Sequence, residues 1–574
     1  MSVFDMRHCA TGVWRAALLL AAGGALAVPV TASAAPTGPL TNVIVRGDGS
    51  ASPRPIEADV TAYGGHVLQM VEILDGAIAS VPANEVGALQ NAPGVAEVTS
   101  DSQLTLSSIG GYDPTTDVGS LYSTEQITGV QRAWRNGATG QGVGVALIDT
   151  GVSPVQGLNG SGQVINGPDI SFASQAPALT YLDEYGHGTH MAGIIAGNDS
   201  YGAGTTYAGN SNQFTGVAPD AHILNVKVAD EHGVVDVSQV IAALDWVVQH
   251  KNDNGMNIRV INLSFGTDST QAYTLDPLAF AAEVAWRKGL VVVAAAGNAG
   301  NGANGLNDPA IDPYLIAVGA VDTNGSKDPR QQSVASFSSS GDGNRNPDLV
   351  APGVHIASLR DPGSVIDQQY GQTATVSSNA RFFRGSGTSQ ATAEVSGAAA
   401  DLLSAHSGYT PDQVKYALTS TATSLGSSAS LQGSGELNLA AALTTNTPPG
   451  HYRQRFEQST GTGTLEGSRG SGHIVSNNVV LSGEQDIFGS AFDSASMAQA
   501  EADGVAWSGG TWNGVGWSGV GWSGVGWSGV GWSGVAWSGV GWSGVGWSGA
   551  TWNGVGWSGV GWSGVGWSGV GWSG

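Results

Sequence analysis

Asp149, His187 and Ser389 are the three residue types that acyl transfer to a hydroxyl nucleophile requires, and each stands in a setting that could hold it still. Val145-Ala146-Leu147-Ile148-Asp149-Thr150-Gly151 is an apolar run ending on an aspartate, as at the carboxyl end of a buried strand. Tyr185-Gly186-His187-Gly188-Thr189-His190 opens a helical pattern on a histidine. Gly385-Ser386-Gly387-Thr388-Ser389-Gln390-Ala391 places a serine between glycines and a helix. A serine hydroxyl is a weak nucleophile near neutral pH. It needs a base within hydrogen-bond reach, and that base needs a carboxylate to fix its tautomer and stabilise its cation. Residues 290–296 lead straight into Gly297-Asn298, whose side-chain amide can donate to the oxygen that turns negative during the reaction.

Two other chemistries fit these residues less well. Asp149-Thr150-Gly151 is also the signature of peptidases in which two carboxylates share a proton, but no second Asp-Thr-Gly occurs. His187 and His190 are three apart and could face one metal ion, yet there is no His-Glu-x-x-His. A base opening a helix is the better reading of His187. His222, His232, His250, His355 and His406 are isolated, and Asn262 reads as a buried structural amide. Asp183 and Glu184 read as a solvated acidic loop, or as an attraction for basic substrate residues.

The elements that must position this chemistry alternate. Residues 143–148, 223–228, 259–263 and 290–296 are short, nearly continuous apolar runs, and 188–196, 237–249 and 278–287 read as helices between them. Such alternation predicts an α/β fold with a parallel central sheet covered by helices on both faces. Functional groups in such sheets gather at the carboxyl ends of the strands. Residues 40–106 predict a separate small α/β unit with strands near 42–46, 65–70, 77–81 and 95–99.

Composition sets the surroundings. The 574 residues carry a net charge of −24 with only 11% charged, which argues against nucleic acid and against an anionic membrane surface as partners. Residues 1–35 read as a secretory signal peptide: Arg7 and Arg15, a short apolar run and Ala32-Ser33-Ala34. That run is shorter than the ~20 residues a membrane span needs. The single cysteine, Cys9, lies inside it, so the processed protein would have no disulfide. A secreted, extracellular enzyme is expected, its surface attachment left open. Residues 446–503 read as a linker region of unknown role, with one strand near 478–481. From 504 to 574 fourteen tryptophans recur every five residues, mostly as Val-Gly-Trp-Ser-Gly, with no charged residue. This repeat tail is read either as a β-solenoid or as a disordered chain, and its aromatics suit stacking on a cell-surface glycan or polymer.

The match of segments goes beyond the three reactive residues. Gly216-Val217-Ala218-Pro219-Asp220-Ala221, Val260-Ile261-Asn262-Leu263-Ser264-Phe265-Gly266, Ile316-Ala317-Val318-Gly319-Ala320-Val321 and Pro347-Asp348-Leu349-Val350-Ala351-Pro352-Gly353 follow one another in order. With the Asp-His-Ser order, they make the chain resemble the subtilisin-like serine peptidases, the subtilases, over roughly residues 125–443. The resemblance implies a subtilisin-like catalytic domain over 108–445 that cleaves polypeptides, with no cofactor for catalysis and structural calcium as a family habit. It implies that Ser264, Phe265, Gly266 and Ala295, Ala296, Gly297 wall the pocket for an apolar substrate side chain. It also implies that residues 36–107 are a ferredoxin-like propeptide, an inhibitor until the enzyme cuts it off between 101 and 124. Three positions depart from the family. Gln390 stands where Met is usual, and Ala393-Glu394 where Pro-His is usual, which brings a carboxylate close to the site. Residues 358–383 are also long for the family.

Overall fold

The computed structural model describes residues 39–506 apart from 48–55, 72–75, 101–111, 176–177, 205, 377–378, 446–451, 477–478, 488–490 and 505. The expected signal peptide and the Trp repeats from Trp507 onward lie outside the described residues. The chain divides into two compact units, one up to Ser108 and one from Ile109.

The smaller unit has strands β1 Leu40–Gly47, β2 His66–Val71, β3 Gly76–Pro82 and β4 Val95–Ser100, in the sheet order β2-β3-β1-β4. Helices Ile56–Ala62 and Val86–Leu89 give it the split strand-helix-strand arrangement. Val43 and Val45 alternate inward on β1 and are buried with Val60, Ala79, Val81 and Leu89. A slip of one residue would turn that whole set to water, so the register is fixed by burial.

The larger unit is built on β5 Gly144–Asp149, β6 Val164–Asp169, β7 His222–Lys227, β8 Ile258–Leu263, β9 Val291–Ala295, β10 Ile316–Asp322, β11 Ser333–Val334 and β12 Leu349–Pro352. The order is β11-β10-β9-β8-β5-β7-β6, with β12 also on β10, and every pair except β10–β11 is parallel. Every residue of β5 and β9 is buried, which is why these strands read as unbroken apolar runs. Helices His187–Ala196 and Val237–His250 both pack on β5, so the sheet is covered on both faces. Helix Thr388–Ala405 lies along β8, β9 and β10. The strand order turns at β5: β6 and β7 follow on one side, β8 to β12 on the other. Such a turning point opens a crevice at the carboxyl ends of the strands.

Four of these eight strands, β6, β10, β11 and β12, are not among the runs read as strands from the sequence. β6 carries Asn, Gly and Pro, and β12 is only four residues long. The long stretch 358–383 is a hairpin, β13 Ile356–Leu359 with β14 Phe382–Gly385, whose loop contains helix Val365–Ala374.

The reading of 446–503 as a linker does not describe residues 452–503. Leu465, Phe492, Met497 and Ala506 belong to the main core, and helix Ser494–Asp503 packs on helix Pro277–Arg287. Polarity misled the sequence reading, because this segment is held mostly by hydrogen bonds. At its centre Arg469 is fully buried and pairs with Asp236 at 2.7 Å. The same Asp236 caps helix Val237–His250 through the N–H of Ser238. Losing one partner of such a pair strands a charge in the interior, at a cost of about 3–5 kcal/mol. Arg469→Ala should therefore lower the unfolding free energy by that amount, read from urea titrations of both proteins in a Ser389→Ala background.

Candidate active site

Asp149 is the last residue of β5 and is 3% exposed. Its Oδ1 accepts from the Thr150 N–H at 2.8 Å and from His187 Nδ1 at 2.7 Å. His187 is the first residue of its helix and keeps 23% of its side chain open. Burial lowers the imidazole pKa, but the charge and hydrogen bond of Asp149 more than reverse this, so the net shift is upward. The bond also fixes the tautomer: with Nδ1 donating to the carboxylate, Nε2 is left as the basic nitrogen.

The approach of strand and helix is tight. A Cβ on Gly188 would lie 2.1 Å from the Gly151 carbonyl oxygen, and Gly186 holds φ +105 just before the histidine. Only glycine accepts both conditions. The Thr150 hydroxyl ties the two segments, accepting from the Gly188 N–H at 2.9 Å and donating to Asp183 at 2.7 Å. Asp183 in turn accepts from the N–H groups of Gly186 and Thr189, both at 2.7 Å. Asp183 is thus a buried cap of the His187 helix, neither a solvated acid nor a lure for substrate. Glu184 pairs with the fully buried Lys227 at 2.8 Å, so it too is engaged. The causes differ: the helix N-terminus needs the acceptors that Asp183 supplies, and the buried Lys227 ammonium needs the counter-charge of Glu184.

Ser389 sits in the first turn of helix Thr388–Ala405 and donates to the Ser264 carbonyl at 2.8 Å. Asn298 follows β9 at the surface of the cleft. Its Oδ1 accepts from the Thr388 N–H at 2.9 Å and the Thr388 hydroxyl at 3.0 Å. With its oxygen held there, the amide's donor end is the one left for a ligand. Asn262 is buried, donating to Ser264 Oγ at 2.8 Å and accepting from Ser396 at 2.9 Å, so the expected structural amide holds the pocket wall to the serine's helix. Ser264, Phe265 and Gly266 continue from β8, and Ala295, Ala296 and Gly297 end β9, its parallel neighbour. Thr150, Asp183 and Thr388 are the residues sequence reasoning missed. Each stands within the motifs around the reactive residues or a few positions before them, so adjacency was the available signal.

His190 is buried with Nε2 3.1 Å from the Phe383 carbonyl. Burial pulls its pKa down to about 4, so it is neutral and structural. Among the described residues no group of three or more His, Cys, Asp or Glu is placed to hold a metal ion. No helix among them is long and apolar enough to cross a membrane.

Comparison with known proteins shows which family this sequence is similar to. The sequence profile of the subtilase family matches residues 140–436. Serine protease AprX of Bacillus subtilis is 38% identical over 289 residues, which are 49% of this chain and 62% of that protein. Subtilisin Savinase of Lederbergia lenta is 38% identical over 311 residues, 54% of this chain and 94% of that protein. The alkaline protease of Alkalihalobacillus alcalophilus is also 38% identical over 311 residues, 54% of this chain and 66% of that protein.

Glu394 does not bring a charge to the site. It is 1% exposed, and burial raises its pKa to about 8. Thr124 faces it, with the carboxyls of Glu125 and Glu436 nearby. Glu125 is buried as well and is raised by burial and by Glu394, with Asp401 adding to it. The folded chain keeps the Glu394 proton that an unfolded chain releases near its ordinary value of 4.5. Stability therefore falls as pH rises from about 4.5 towards 8. Glu394→Gln keeps the shape without the titration. In the Ser389→Ala background it should match the parent's thermal midpoint at pH 4.5 and exceed it at pH 9.

Proposed function

The chain belongs to the subtilase family, and on that premise we propose that it is a secreted serine endopeptidase hydrolysing polypeptides through Asp149, His187, Ser389 and Asn298. The observation that carries this reading is the 2.7 Å bond from His187 Nδ1 to Asp149 Oδ1 across 38 residues of sequence. It leaves His187 Nε2 as the basic nitrogen, the role that a serine nucleophile requires. The Ser389 hydroxyl turns from the Ser264 carbonyl to His187 Nε2 and attacks the substrate carbonyl as the imidazole takes its proton. The Asp149 carboxylate stabilises the resulting cation. The Asn298 amide and the positive end of the Ser389 helix receive the negative oxygen. His187 then protonates the departing amine, and water reverses the sequence to release the acid. Because the base must be neutral and its pKa is raised, activity is lost on the acid side.

An extended peptide would lie between Ser264–Phe265–Gly266 and Ala295–Ala296–Gly297, with an apolar or aromatic side chain between the two walls. Small side chains at Ala295, Ala296 and Gly297 support that choice. The N-terminal signal pattern supports secretion. The separate unit up to Ser108 supports a propeptide that inhibits until self-cleavage. The regularly spaced Trp of the tail support attachment to a cell-surface glycan.

A fluorophosphonate should label Ser389, and Ser389→Ala should abolish labelling and accumulate the uncut proform; an unlabelled wild type that cleaves no denatured protein would sink the reading. Asn298→Ala should lower kcat about 100- to 1000-fold with KM little changed, the size known for the corresponding amide in subtilisin itself. Gln390 has no thioether to oxidise, so activity should survive mild peroxide. Rapid loss with oxidation mapped beside Ser389 would contradict this.

A further inference from the structure

Three short segments meet around the expected substrate pocket. Residues 264–267 follow β8, residues 295–297 end β9, and residues 304–308 bridge them. The Asn307 N–H donates to the Ala296 carbonyl at 3.0 Å, and Thr267 and Asp308 exchange backbone bonds at 2.9 and 2.8 Å. Asn307 crowds Gly297 so closely that a Cβ there would lie 1.9 Å from its Oδ1. Asp308 is thus the residue that closes this ring of backbone. Its carboxyl points away from water, 1% exposed, beside the fully buried Asp276.

The group that reaches both carboxyls comes from far along the chain. The Ser468 hydroxyl is fully buried, 2.7 Å from Asp276 Oδ1 and 3.4 Å from Asp308 Oδ2. On either side of it, residues 459–471 run against 267–276 as a strap. The Ser468 carbonyl accepts from the Thr267 hydroxyl. The Gly467 carbonyl accepts from the Thr270 N–H at 3.0 Å. Gln271 and Thr464 exchange bonds at 2.8 and 2.7 Å, and Ser471 donates twice to Asp268, at 2.7 Å each. The strap's other side is fixed by Arg469 on Asp236. Neither Asp276 nor Asp308 could be left in the interior without such donors, so the strap and the pocket edge are held as one piece.

We infer that Ser468 is a positioning residue for substrate selection: through Asp308 and Thr267 it sets the spacing of the pocket walls, and the 459–471 strap is part of the specificity machinery. The inference rests on the peptidase reading above. A wall displaced by a fraction of an ångström changes how a large side chain fits far more than how a small one does. A general loss of stability would affect both alike.

The test uses the full-length chain and matched peptides with Phe or Ala before the scissile bond. Ser468→Ala should lower the Phe-to-Ala ratio of kcat/KM about fivefold, through KM for Phe. Labelling of Ser389 by a fluorophosphonate without a side chain should stay at the wild-type rate. An unchanged ratio with normal labelling overturns the inference; no labelling of the wild type overturns the peptidase reading instead. If Ser468→Ala does not fold, Gln271→Ala cuts three bonds to Thr464 of the strap and one to Asp276 and should shift the ratio in the same direction, and a folded Gln271→Ala with the wild-type ratio overturns the inference equally.

Discussion

The bond between His187 and Asp149 constrains the rest of the structure. A hydroxyl becomes a nucleophile only when a neutral imidazole of the right tautomer faces it, and here that tautomer is set by one buried carboxylate. Holding the pair at 2.7 Å demands that a strand end and a helix start meet with almost no space between them. Gly188 against the Gly151 carbonyl, and Thr150 bonded to both Gly188 and Asp183, are consequences of that demand. The parallel sheet supplies the geometry, because β5, β8 and β9 deliver Asp149, Ser264 and Ala295 side by side to one edge.

Acidic groups in the interior play a second, quieter role. Asp183 and Asp236 are buried where helix N-termini need acceptors, and each is satisfied by several donors. Burial raises Asp183 as well, and it raises Glu125, Asp308 and Glu394, the last to about 8. Burial thus keeps the Glu394 carboxyl protonated at pH 7, although the formal count of −24 includes it. It also places pH sensitivity in the core as well as in the imidazole.

The segment after the family domain is structurally part of it. The subtilase profile ends at 436, yet Arg469 lies as deep as any side chain of the core. Its contacts run along 267–276, the loop that continues from the pocket wall.

The sequence by itself marked four buried strands of the sheet, β5, β7, β8 and β9, and the motifs around Asp149, His187, Ser389 and Asn298 in their order. It could do so because apolar runs and glycine-flanked reactive residues are local patterns, and local patterns survive in one dimension. It did not determine β6, whose polar and Gly-Pro composition hides a strand supported only by its neighbour β7. It misjudged Asp183, Glu184 and Glu394, because what a carboxyl does depends on its surroundings: a helix start for Asp183, the buried Lys227 for Glu184, and an interior that keeps Glu394 protonated. It read 446–503 as a linker region, because a segment held by side-chain hydrogen bonds to distant loops shows no hydrophobic period. Those partners lie some 190 to 230 residues away, as in Ser468 with Asp276 and Arg469 with Asp236, and only the folded chain brings them within bonding distance.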